Sequence, residues 1–123
     1  MTAYQRGSAY EVKAANVLAA DGYACWLARG SKGPADVVAI KVGQVLLVQV
    51  KSGAGVYPAS AGLSHAGWNA LHDLAAQVGA VPVTCYWRKW ARRPTWRQIT
   101  GRHTARASLW PSMPFDPDEV VAS

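Results

Sequence analysis

Apolar residues recur along this chain at two spacings. Ala14, Ala15 and Leu18 continue a helical face up to Gly22, and Ser8 with Glu11 supplies an S-x-x-E start ahead of them, so the pattern predicts a first helix over Ala9–Asp21. "YACWLAR" then reads as a short strand and "SKGP" as a flexible loop. "DVVAIKV" and "QVLLVQVK" read as two strands whose nearly continuous apolar character marks a centrally buried hairpin. Ser52 to Gly62 has the glycine and proline content of a loop. Helical spacing resumes from Leu63 to Val78 through Trp68, Leu71, Leu74 and Ala75, with Gly79 after it. "AVPVTCYW" predicts a fourth strand and "TWRQIT" a fifth, whereas the prolines from Ala107 onward predict a tail without regular structure. The pattern is α/β, with one domain over residues 1–106 and a Pro-rich acidic tail over 107–123.

Size and charge narrow the picture. A chain of 123 residues, half of them hydrophobic and 16% charged, can bury one core and is not disordered by composition. All thirteen Lys and Arg lie at or before Arg106, while Asp116, Asp118 and Glu119 sit in the tail. The body through Phe115 therefore carries thirteen basic against four acidic residues, a formal +9 against +6 for the whole chain. A body that basic suits a polyanion, and nucleic acid is the commonest one. Cys25 and Cys85 lack the spacing of a zinc site and are expected to be buried thiols in a reducing compartment. His65 and His72 share a helical face without a third ligand and read as surface residues. No apolar run approaches the roughly 18 to 20 residues of a membrane span, and "MTAYQRGS" has no secretory h-region, so a soluble cytoplasmic protein is expected.

The hairpin carries the candidate chemistry. If it turns around "KVGQ", paired residue numbers sum to 85, so that Lys41 faces Gln44, Ile40 faces Val45 and Asp36 faces Gln49. The strand period of two puts Lys51 on the same face. A two-residue turn would force Val42 to positive φ, so a four-residue loop with the same sum is expected. Glu11 shares a helical stripe with Ala14, Ala15 and Leu18, the side that must pack on the sheet. Two carboxylates, the Gln49 amide oxygen and the Val50 backbone carbonyl form an all-oxygen set of the kind Mg²⁺ or Mn²⁺ takes while retaining waters. A lysine beside it can stabilise charge on an attacking water or a phosphate. Plainer readings stand beside this one: Glu11 completing a capping box with Ser8, and Asp36 with Lys51 as a cross-strand ion pair.

"YWRKWARRPTWR" interleaves Trp87, Trp90 and Trp96 with Arg88, Lys89, Arg92, Arg93 and Arg97, as suits phosphate contacts plus stacking on unpaired bases. The alternative packs the tryptophans into a hairpin or interface and leaves the arginines as its solvated face.

Glu11, Asp36 and the "QVK" of Gln49 to Lys51 together resemble the restriction-endonuclease-like PD-(D/E)XK nuclease superfamily. Within it, "RGSAYEVKAANVLAADGYACWLARGSKGPADVVAI" and "LLVQVKSG" are similar to the archaeal-type Holliday junction resolvases, small dimeric enzymes also found in bacteriophages, over about Arg6 to Trp87. The resemblance implies a central mixed β-sheet flanked by helices, hydrolysis of phosphodiesters with Mg²⁺ or Mn²⁺, and symmetric nicking of four-way DNA junctions by a homodimer, without a small-molecule cofactor. By position it implies Glu11, Asp36 and Gln49 as metal ligands with the Val50 carbonyl, Lys51 as the catalytic lysine, Ser31 on a mobile active-site loop, and Arg6 as a basic residue just before the helix. Lys13, Arg29 and Lys32 join Arg6 and the arginine-rich stretch as expected DNA contacts. Two departures stand out. Pro34 and Asp36 are separated by Ala35, and Gln49 replaces the usual Glu, keeping a ligating oxygen without its charge, which predicts weaker metal binding. The same residues also suit another nuclease of this superfamily, acting in repair, on flaps or in restriction, or a junction-binding protein with impaired catalysis.

Overall fold

A computed structural model describes residues 3–28 and 33–119, with side chains from Ala9 onward. Helix α1 spans Ala3–Ala20, β1 Ala24–Leu27, β2 Val37–Lys41, β3 Gln44–Gly53, α2 His65–Val78, β4 Val81–Arg88, β5 Thr95–Ile99 and β6 Ser112–Pro114. The strands form one sheet in chain order, antiparallel throughout except between β3 and β4. A parallel pair needs a crossover, and α2 supplies it. The expected mixed sheet with flanking helices is the observed fold.

Alternation along β3 sorts two cores. Leu46, Val48 and Val50 join Ala14 and Leu18 of α1, together with Val37, Val83 and Cys85. Leu47 joins Trp68, Leu71 and Ala75 of α2 on the other face. Burial on both faces is why β3 reads as an almost unbroken apolar run. Leu18, Leu46 and Leu71 are fully buried, which stabilises the fold by roughly 2 kcal/mol each relative to exposure.

Several local expectations change. Helix α1 is under way at Ala3, ahead of the expected Ala9, so Ser8 lies inside the helix and cannot cap its start with Glu11. Helix α2 starts at His65 rather than Leu63, because Ser64 caps it: the Ser64 side chain accepts the Gly67 backbone N–H at 3.0 Å. The hairpin register keeps the sum of 85 from Lys41↔Gln44 to Val37↔Val48, but the turn has two residues rather than four. Gly43 takes positive φ (77°) and Val42 does not, the pattern of a type II turn, so the objection to a short turn does not arise. The tail contributes β6, which pairs with β5, and Phe115 packs on the α1-side core. Pro111 and Pro114 flank or end this edge strand, where a missing N–H is tolerated. Cys85 is buried as expected, while Cys25 is half-buried with its thiol against the Ala15 carbonyl at 3.5 Å. No described helix is long and apolar enough to cross a membrane.

Candidate active site

Regular pairing ends at Asp36. Its backbone N–H donates to the Val48 carbonyl at 2.8 Å, although Val48 is already the partner of Val37. Two residues of one strand thus oppose one of the next, the count of a β-bulge. Asp36 is displaced from the position directly opposite Gln49 that a uniform register required, yet its side chain reaches across. Its Oδ2 accepts Gln49 Nε2 at 2.8 Å and the Val50 backbone N–H at 2.9 Å. The N–H and C=O of one strand residue point to the same edge, so the Val50 carbonyl also lies on the Asp36 side.

Asp36 is half-buried, and desolvation pushes its carboxyl above the ordinary value of 3.8, against the opposing pull of the Val50 N–H and the Lys51 charge. An ionised carboxylate only accepts hydrogen bonds, so Gln49 must turn its NH₂ toward Asp36 and its amide oxygen away. That makes the glutamine a latch. A glutamate in its place would set a second carboxylate against the first.

Gln49 and Lys51 border a cavity of about 390 Å³ with Pro34, Leu63, Ser64 and Gly67. The amide, the ammonium and the first turn of α2 therefore share one space, to which the helix N-terminus adds positive potential. The stem of Lys51 lies against Gly62, where an added Cβ would come within 3.2 Å of the Lys51 Cβ. Gly62 also has φ +80°, so it combines a left-handed backbone with the room the lysine needs. Sequence reasoning missed this positioning residue; a glycine two places before the Ser64 cap was the only signal.

Glu11 approaches by a different route. The Tyr10 ring lies 5.9 Å from that of Trp87, whose strand partner is Ser52, so this turn of α1 sits at the Lys51 end of β3. Glu11 is half-buried and engaged by neighbours, in the layer opposite the one that Gln49 and Lys51 face. Among the described residues no three His, Cys, Asp or Glu side chains are grouped so as to hold a metal. The side chain of Arg6, and Arg29, Ser31 and Lys32 altogether, lie outside the described residues.

The basic stretch resolves into distinct roles. Lys13 is exposed, with Nζ 5.2 Å from the Tyr10 ring centre and 6.0 Å from that of Trp87. Arg88, Lys89, Arg92 and Arg93 are exposed along the β4–β5 connection. Arg97 is half-buried and donates to the Ser112 hydroxyl at 2.8 Å and carbonyl at 3.2 Å, which holds β6 in place. Trp87 is 4% exposed within the α1-side core and Trp96 packs against it. The core reading holds for these two tryptophans and fails for Trp90, which is 89% exposed.

A family model described as archaeal Holliday junction resolvase (Hjc) matches residues 2–85. Among solved structures, Hjc of Archaeoglobus fulgidus, a Holliday junction resolvase from an archaeal hyperthermophile, is similar with a TM-score of 0.62 and 22% identity. That match covers 76% of this chain and 70% of the other, and it shows a shared fold. A comparison with curated protein sequences finds no significant match.

Proposed function

The chain belongs to the archaeal Holliday junction resolvase (Hjc) family, whose members are nucleases, and from that premise we propose that it resolves four-way DNA junctions by metal-dependent paired nicking. The observation that carries the reading is the Asp36 carboxylate, held by Gln49 and the Val50 N–H at a strand bulge within the field of Lys51. Nucleases of this family generally use divalent metals. The Asp36 carboxylate, the Gln49 amide oxygen and the Val50 carbonyl would hold Mg²⁺, or Mn²⁺, as hard oxygen ligands that leave room for water; Glu11, in the opposite layer, is the ligand that the family resemblance adds. Such an ion, when bound, supplies Lewis acidity and a more acidic water.

The chain's own residues do the rest. Asp36 and Gln49 hold the ligand oxygens in place, and Lys51 stabilises negative charge at the phosphate under attack. The first turn of α2 offers backbone N–H groups to a neighbouring phosphate, and Ser31 joins them in the role that the family resemblance implies. Arg6, Lys13, Arg29, Lys32, Arg88, Lys89, Arg92 and Arg93 contact the DNA backbone, with Arg97 behind them bracing β6. A homodimer acting in the cytoplasm would present two such sites in the two-fold symmetry of the junction.

The test offers labelled four-way junction, matched duplex, flap and single strand to the purified protein, in Mg²⁺, Mn²⁺ or EDTA. Symmetric nicks in the junction alone, absent in EDTA, are expected. Preferred cutting of flaps or duplex would point to a different nuclease of the superfamily, and junction binding without cutting in either metal would identify a protein that has lost catalysis.

A further inference from the structure

The family-model match covers residues 2–85, and the β4–β5 connection that follows it carries an exposed surface. At its tip Trp90 is 89% exposed and has φ +70°, a left-handed backbone that a bulky residue adopts only when its surroundings impose it. Two backbone bonds impose it here. Ala91 N–H donates to the Arg88 carbonyl at 2.9 Å, closing the turn, and Lys89 N–H donates to the Gly53 carbonyl at 2.8 Å.

The second bond ties the tip to β3 two residues beyond Lys51, at the end of the sheet that carries the candidate site. At roughly 3.3 Å per strand residue, with the turn added, the indole stands on the order of 10 Å from Lys51, about three stacked base steps. Lys89 Nζ lies 5.4 Å from the ring centre and Arg88 is exposed two residues before it, while Arg92 and Arg93, also exposed, line a cavity with Asp21, Asp116 and Asp118. An exposed ring flanked by cations suits a base whose phosphates the cations meet; Trp and Arg are also enriched at protein interfaces, an occupant that the test below distinguishes.

We infer that Trp90 is a base-stacking residue, which lays its indole on an unstacked nucleobase at the DNA branch and so biases the protein toward junctions over duplex. Continuous duplex offers no open base face, so only branched or unpaired DNA rewards the exposed ring. The inference rests on the junction reading, and its test separates the two.

The experiment measures binding in EDTA, without cleavage, by anisotropy of labelled junction and duplex, and by fluorescence of 2-aminopurine placed at the branch. The proteins are wild type, Trp90→Gly, Trp90→Phe and, as a control at another exposed indole, Trp26→Ala. Glycine accepts positive φ, so Trp90→Gly should fold with unchanged or higher thermal stability. Its junction Kd should rise about tenfold while its duplex Kd moves less than about twofold, and the 2-aminopurine response should be lost. Trp90→Phe should retain most of the preference, and Trp26→Ala all of it. Equal junction binding by Trp90→Gly and wild type would overturn the inference while leaving the junction reading intact. An equal loss on junction and duplex, or a change in oligomeric state by sedimentation, would overturn it in favour of a general phosphate or protein contact. A wild-type protein that does not prefer junctions would overturn both.

Discussion

A glutamate at position 49 would face Asp36 across a 2.8 Å gap that the glutamine closes with a donated hydrogen bond. Hydrogen bonds to charged groups are worth about 1.5–3 kcal/mol, and half-burial of Asp36 strengthens the case for having one there. Gln49→Glu should therefore lower stability in EDTA by about 1–2 kcal/mol in urea unfolding, with recovery on adding Mg²⁺. The same variant should need less Mg²⁺ for half-maximal cleavage, since the ion then gains a further negative ligand beside Asp36; an unchanged or higher requirement would exclude ligation by residue 49. The pH dependence follows from the direction of the Asp36 shift. Its carboxyl is raised above 3.8 by burial, so ionisation disfavours the folded state; that penalty is absent below the ordinary value and complete above the raised one. Ligation needs the ionised form, so the acid limb of cleavage should lie above the ordinary aspartate value and move to lower pH as Mg²⁺ increases. A rate–pH profile at several Mg²⁺ concentrations reads this directly.

At the scale of elements, α2 is tied to the segment after β5 by polar groups far apart in sequence. Asn69 accepts the His103 backbone N–H at 2.7 Å and donates to its carbonyl at 3.0 Å, and Trp68 Nε1 donates to the Gly101 carbonyl at 3.0 Å. His103 stacks on Trp110 at 3.5 Å. Its Nε2 faces the Ala107 carbonyl at 2.9 Å, which assigns the proton to that nitrogen, so its Nδ1 accepts from His65 Nδ1 at 2.6 Å. Asn69→Ala leaves two buried backbone groups without partners and should cost about 2–3 kcal/mol in urea unfolding.

None of this was legible in advance. His65 is exposed as expected, but its pairing with His103 was not legible because that partner lies 38 positions on. The β2–β3 register was legible, because a short hairpin is fixed by local spacing, and with it came the grouping of Asp36, Gln49 and Lys51. The bulge at Asp36 was not, since a one-residue insertion leaves no mark in an apolar run. Nor was the early start of α1, because Ser8 and Glu11 imitate a cap that the helix does not use. β6 was hidden by its prolines.

Across the whole molecule, charge is partitioned. Asp116 and Asp118 fold back beside Arg92, Arg93 and Asp21 around a cavity of about 590 Å³, where burial and then these two acids raise the Asp21 carboxyl. The cations at the far end of β4, together with Lys13 and Lys51, remain open at the end of the sheet where Asp36 and Gln49 meet. On the proposed reading, catalysis and DNA binding share that end of the molecule, and Asp36 and Lys51 cut there. The most direct measurement is single-turnover cleavage in Mg²⁺ of a junction labelled on each strand, by wild type, Asp36→Ala and Lys51→Ala, with junction affinity measured in EDTA alongside. The account predicts symmetric nicks by wild type, a loss of at least about 100-fold in either variant, and affinity within about threefold throughout. Nicking by Lys51→Ala or Asp36→Ala at the wild-type rate would contradict it.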